Sequence, residues 1–389
     1  MKSFPHMLAA AAVAAASAGF AQAPARTEIP NAAQPQLAVA TDGRVWLVYG
    51  RIEGTAAPRA EHAGDHGQPA KAGHRPNAAK ARPAGGLFAA YSDDGGVTFS
   101  PAVKVGAVPG LMLGMRRGPR IAAHGSRVTV TAVGDELIAI SSADAGKTWG
   151  APVTINDVPK SAREGLQDLA AAPDGGLFAT WLDIRNGKME LWGASSRDGR
   201  TWAKNEQVYR SSDQSICECC HPTALFDAEG NLAVMWRNSI EGSRDMWMTT
   251  RAKGSARFAP AKKIGEGTWK LKACPMDGGR IVALGRGNFG AVWQRAGEVF
   301  LSRPEGSEVR LGKGKQPVAV QTGDGRPLVM WQQDADLVLL RNLPGAAPVK
   351  YASDARFPSL VTLSGGRGTV LAYERGPAKG PTSVAVDRL

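Results

Sequence analysis

The chain repeats one pattern of alternating apolar and polar positions around a tight turn. The first copy is Gln36-Leu-Ala-Val-Ala-Thr-Asp42-Gly43-Arg-Val-Trp-Leu-Val-Tyr49, and Leu169–Trp181, turning at Asp174-Gly175, repeats it. Alternation with a period of two describes half-buried strands, and an Asp-Gly pair between two such runs describes a hairpin. Further copies fall at Arg120–Val133, Thr223–Trp236, Arg280–Trp293, Val318–Trp331 and Pro358–Tyr373. Seven hairpins, with little that carries a helical period, predict an all-β protein.

A second motif follows the first three hairpins. It reads Ser92-x-Asp94-x-Gly96-x-Thr98-Phe99, then Ser142-x-Asp144-x-Gly146-x-Thr148-Trp149, then Ser196-x-Asp198-Gly199-x-Thr201-Trp202, the last one residue shorter. The spacing of about 50 residues is the period of a four-stranded propeller blade. Ser and Asp side chains bond the backbone of a turn, Gly supplies positive φ and the aromatic pins the turn, so the motif is read as structural. Later copies decay, as around Gly254 to Phe258. The expectation is a β-propeller of seven four-stranded blades, or six if the terminal copies merge. The last hairpin leaves no room for a fourth strand. Residues near Arg26 to Ile29 are expected to supply it and close the ring.

These boxes resemble the Asp-box repeats of the sialidase and BNR-repeat superfamily, over nearly the whole chain after its leader. The resemblance implies a propeller and does not by itself imply an activity. Sialidases carry an Arg-Ile-Pro motif, an arginine triad, a Tyr nucleophile paired with Glu, and an Asp acid/base. Here the matching place reads Glu28-Ile29-Pro30, which puts an acid where a carboxylate-binding Arg would stand. Tyr373-Glu374 are neighbours on one strand and are expected to point to opposite faces. The segment Cys217-Glu-Cys-Cys220, followed by Cys274-Pro-Met-Asp-Gly-Gly, resembles that of a group of exported BNR-repeat proteins.

The ends of the chain add a location. Lys2, the apolar run Leu8–Ala16 and the ending Ala21-Gln22-Ala23 read as a secretory signal peptide over 1–23, predicting a periplasmic or secreted protein. Residues 24–389 are then one propeller domain, with an Ala-, Gly-, Pro- and Lys-rich insertion at about 53–86 that carries His62, His66 and His74 and is expected to be disordered. No later run reaches the roughly 18 apolar residues of a membrane span. Net charge is +12, but Lys and Arg are scattered, without the basic stripe of a nucleic-acid binder.

Sorting residues by loop type concentrates the unusual chemistry on the face opposite the boxes. Met112 and Met115 precede the first strand of blade two, Cys217, Cys219, Cys220 and His221 that of blade four, and Cys274 that of blade five. Asp183 and Arg185 lie in the third B–C loop, and Arg237, Arg244 and Asp245 in the fourth. The arginines and acids form ion-pair networks or hold a small anionic ligand.

All four cysteines of the chain fall in these two segments. Clustered thiolates beside an imidazole suit Cu(I), which nearby methionines favour, or alternatively Zn(II). Two disulfides in an oxidising compartment, or a Cys217/Cys220 redox pair, are the competing readings. The leading expectation is an exported binding protein for a soft metal, exchanging it with a periplasmic protein partner. The alternative is a sialidase-like hydrolase or lyase acting on an anionic sugar.

Overall fold

A computed structural model describes residues 26–53, 85–213, 215–302, 307–341, 343, 345–377 and 380–389. Residues 1–23, read from sequence as a signal peptide, and most of the histidine-bearing insertion lie outside them. Seven antiparallel four-stranded sheets form the blades. The first strand in chain order is β1 (Thr27–Pro30), and blade one holds the next four, β2 (Ala33–Val39), β3 (Val45–Ile52), β4 (Gly85–Ser92) and β5 (Val103–Val108). Blade two holds β6 (Arg120–His124), β7 (Arg127–Val133), β8 (Leu137–Ser142) and β9 (Val153–Thr154). Blade three holds β10 (Gln167–Ala171), β11 (Leu177–Asp183), β12 (Glu190–Ser196) and β13 (Glu206–Tyr209). Blade four holds β14 (Thr223–Phe226), β15 (Leu232–Arg237), β16 (Met246–Arg251) and β17 (Lys262–Lys263). Blade five holds β18 (Arg280–Gly285), β19 (Asn288–Arg295), β20 (Glu298–Ser302) and β21 (Glu308–Lys313). Blade six holds β22 (Lys315–Gln321), β23 (Pro327–Gln333), β24 (Asp336–Leu340) and β25 (Val349–Ala352). Blade seven holds β26 (Ala355–Thr362), β27 (Thr369–Arg375), β28 (Ser383–Arg388) and, from the other end of the chain, β1 (Thr27–Pro30).

The closing strand is the one expected. Thr27 to Pro30 run antiparallel to Val386 to Ser383. Beside this seam, buried Asp387 accepts from Arg26 Nε at 2.9 Å, Tyr351 Oη at 2.9 Å and Tyr373 Oη at 3.1 Å, tying both ends of the chain together.

The core lies between blades. Trp46, Trp181, Trp236, Trp293 and Trp331, all from second strands, are among the largest fully buried side chains. Truncating one such ring costs about 3–5 kcal/mol. The Ser/Asp boxes close the outer hairpins as their residue types dictate. Asp94 accepts from Thr98 N at 2.9 Å and Thr98 Oγ1 at 2.5 Å, while Ser92 Oγ accepts from Gly96 N at 2.7 Å.

The box glycines have a second duty. Gly146 (φ 77°) lies against the Trp46 ring of the preceding blade, where a Cβ would overlap it. Gly96 meets Val370 and Gly199 meets Thr129 in the same way, each on the second strand of the blade before. The boxes therefore lock neighbouring blades as well as their own turns. Among the described residues no helix is long and apolar enough to cross a membrane.

Candidate metal centre

The mouth of each blade, just before its innermost strand, builds the site. Five of the seven mouths carry an X-Pro step: Gln34-Pro35, Gly118-Pro119, His221-Pro222, Gln316-Pro317 and Phe357-Pro358. At three of them the residue before proline has positive φ and the strand register slips, the signature of a bulge that re-aims a side chain.

The re-aimed groups meet across the axis. Arg116 of blade two donates to Gln316 Oε1 at 2.8 Å and Gln316 O at 2.9 Å in blade six, and to Pro358 O at 2.8 Å in blade seven. Asp168 of blade three pairs with Arg120 of blade two at 3.3 Å and with Arg280 of blade five at 3.2 Å. Glu374 accepts from Gln34 N at 2.7 Å and pairs with Arg356 at 3.0 Å. Tyr373, its neighbour on β27, bonds Asp387 on the other side.

Beside this axis lies the sulfur cluster. Cys217, Cys219 and Cys220 are all buried, and their Sγ atoms are separated by 3.6, 3.4 and 4.0 Å. The four cysteines are free thiols. Among the described residues this triad is the one group of His, Cys, Asp or Glu ligand atoms lying within 4.8 Å of one another. Cys274, half-buried on the loop into blade five, packs against the triad together with Met276 but does not join that set.

Two local features place the sulfurs. Cys217 N donates to Arg237 O, anchoring the segment on β15. The Asp277 N–H points at Cys220 Sγ at 3.4 Å, a bond that stabilises a thiolate. Asp277 is itself fixed, because its carboxylate accepts from Gln316 N at 2.5 Å and its carbonyl from Arg237 Nε at 2.9 Å.

The electrostatics favour one anionic sulfur. Hydrogen bonds shared with Cys219 and Cys220, helped by the charges of Arg237 and Arg244, hold the Cys217 thiol well below its usual range despite burial. Cys219 is pushed up by its hydrogen bonds to Cys217 and Cys220, and Cys220 first by burial. Cys274 is lowered, mainly by its contact with Cys219.

His221 does not turn toward the sulfurs. Its Nε2 is 3.1 Å from Gly279 O, and its buried Nδ1 has no hydrogen-bond partner. Burial, then Arg116, Arg120 and Arg280, keep the imidazole neutral.

The remaining predicted site residues are occupied elsewhere. Arg185 bonds Asp183, Asp157 and Asn205 and stacks its guanidinium 3.8 Å over Trp192. Arg237 spends its donors on the carbonyls of Asp277, Arg244 and Gln294. Asp245 accepts from Trp269 N at 2.8 Å, and Arg244 reaches Leu271 O at 3.4 Å. Met112 packs against the core between blades two and three, and Met115 sits in the loop beside Arg116 with φ 48°. The axial residues Gln34, Arg116, Arg120, Asp168, Asp277, Arg280 and Gln316 are not among the site residues expected from sequence. The X-Pro step that recurs at five of the seven hairpins was the signal that could have found several of them.

No family model matches the chain, and no curated protein matches it. Solved structures do. A protein of unknown function from Dyadobacter fermentans is 13% identical, with a TM-score of 0.50 over 94% of this chain and 100% of that one. YCF48 bound to D1 peptide is 10% identical, with a TM-score of 0.51 over 95% and 96%. The NanB sialidase of Streptococcus pneumoniae is 10% identical, with a TM-score of 0.45 over 92% and 68%. At these identities the likeness is one of fold: the chain is a seven-bladed propeller.

Proposed function

We propose that this chain is an exported propeller of the Asp-box, sialidase-like type that binds Cu(I) at Cys217, Cys219 and Cys220 and catalyses no reaction of its own. The observation that carries the reading is the shape of the sulfur set. Three thiolates around a metal at about 2.3 Å lie about 4 Å apart in a trigonal site, and four lie about 3.8 Å apart in a tetrahedral one. The triad separations of 3.4, 3.6 and 4.0 Å need only small adjustment to match either. Cys274 packs against the cluster but lies outside the set of sulfurs within 4.8 Å of one another, so three-coordination is favoured. Soft thiolates in a three-coordinate set suit Cu(I), whereas zinc asks for four ligands. Three thiolates and one Cu(I) leave two negative charges, which Arg237 and Arg244 offset.

The hydrolase alternative has less support. Arg116 fills the axial mouth, and Tyr373 and Glu374 face apart. The deciding experiment is metal analysis of protein purified without oxygen, with a thiol count. About one copper per chain, lost in Cys219→Ser while the fold persists, supports the reading. Zinc at full occupancy, or no metal with oxidised thiols, overturns it.

A further inference from the structure

We propose that Cys274 is the transfer ligand of this centre, the sulfur through which Cu(I) enters and leaves the triad. The inference rests on the copper reading above. Cys217, Cys219 and Cys220 are buried at 1%, 6% and 1% exposure, so an incoming carrier cannot reach them directly. Cys274 is only partly buried and touches the triad at Cys219. It is a bridge from solvent to the buried sulfurs.

The loop that carries it is built for a small swing. On its C-terminal side the chain is pinned, because Gln316 Nε2 donates to Met276 O at 2.5 Å and Asp277 is held by Gln316 and Arg237. On its N-terminal side Leu271 N is tied to Gly242 O, and between the two anchors Lys272 and Ala273 are exposed. Met276 adds a thioether against the same cluster, a soft neutral ligand that holds Cu(I) weakly during a handover.

The step is a ligand exchange. A bond from Cu(I) to the donor's sulfur breaks as a bond to Cys274 Sγ forms, and the Cys274 proton passes to the released thiolate. The metal then moves inward: its bonds to Cys274 and to any remaining donor sulfur break as bonds to Cys217, Cys219 and Cys220 form, one of the two protons shed by Cys219 and Cys220 returns to Cys274, and the other passes to released donor sulfur or to water. Copper stays in the +1 state throughout and no electron is transferred. The carrier is therefore a molecule that presents Cu(I) on sulfur.

The test separates affinity from rate. Full mature protein and its Cys274→Ser variant are loaded from the Cu(I)–glutathione complex, and removal by bathocuproine disulfonate is followed by stopped flow. Competition at equilibrium gives the affinity. The expected result is an affinity within about threefold of wild type, transfer slowed at least tenfold in both directions, and partial recovery of the rate in Cys274→Met. A hundredfold loss of affinity in Cys274→Ser would instead make Cys274 a permanent fourth ligand and overturn the proposal, as would unchanged rates. A wild-type protein that takes up no Cu(I) from glutathione overturns the copper reading itself, and is seen before any variant is compared.

Discussion

Replacing Arg237 by methionine tests whether the cysteine cluster is held by the seam between blades four and five. Arg237 is 1% exposed, and its guanidinium donates to Asp277 O at 2.9 Å, Arg244 O at 2.6 Å and Gln294 O at 2.8 Å. Hydrogen bonds from a charged group contribute about 1.5–3 kcal/mol each, and methionine leaves all three carbonyls without that donor. Removing a buried cation also recovers part of its desolvation cost, so the net loss is about 3–5 kcal/mol. With an unfolding entropy of about 2.1 cal/mol/K per residue, a chain of this size loses about 5 °C in Tm. The second effect is on sulfur. The Cys217 thiol, lowered first by hydrogen bonds with Cys219 and Cys220 and then by Arg237 and Arg244, rises when one of the two cations is gone. Thermal unfolding by circular dichroism reads the first effect, and thiolate absorbance during a pH titration under reductant reads the second. A variant within 1 kcal/mol of wild type, with an unmoved thiolate titration, would refute the assignment of Arg237 as the clamp of the site.

Gly146→Ala should cost about 2–3 kcal/mol, because it adds a Cβ against Trp46 to the strain of positive φ, while Gly187→Ala, with open space around it, should cost about 1 kcal/mol. Equal losses in urea unfolding would disprove the blade-locking role. Asp387→Ala strands the buried Tyr373 phenol, the half-buried Tyr351 phenol and Arg26 at the ring closure and should destabilise by about 3 kcal/mol, and a loss under 1 kcal/mol would count against it. Burial raises the Asp183 carboxyl, but hydrogen bonds from Arg185, Ser161 and Trp181 outweigh it and lower the folded value. Its stabilisation is therefore complete above the unfolded value of about 4 and is lost as pH falls through the lower folded one. Urea midpoints between neutral and acid pH should fall less steeply in Asp183→Asn than in wild type, and parallel curves would reject this.

The fold was legible because each blade repeats its own instructions. All seven hairpins read from alternation and turn residues coincide with the first and second strands of the blades, from Gln36–Tyr49 on β2 and β3 to Pro358–Tyr373 on β26 and β27. The closing strand was legible by subtraction, since the last blade lacked one. The chemistry was legible only as far as loop type carries it. Sequence order puts Cys217, Cys219, Cys220 and Cys274 on adjacent mouths, but it cannot say that three sulfurs converge while the fourth stands aside. His221 follows Cys220 directly, yet its ring leaves toward Gly279, a direction set by the following proline and the blade-five backbone rather than by proximity in sequence. The axial arginines were hidden for a different reason. Arg116 meets Gln316 across 200 residues, and no local pattern encodes a partner on the far side of a ring.

The sulfur centre and the ring closure obey different clocks. The cysteine loops belong to blades four and five, consecutive along the chain, so they come together as soon as those two units dock. The seam of β1 with β28 must await the last residues, and it pairs segments more than 350 positions apart. A chain emerging in order from its N-terminus can therefore assemble its thiols while its first strand is still unpaired. Under the copper reading proposed above, capture of the ion at that stage would shield the thiols before the ring closes.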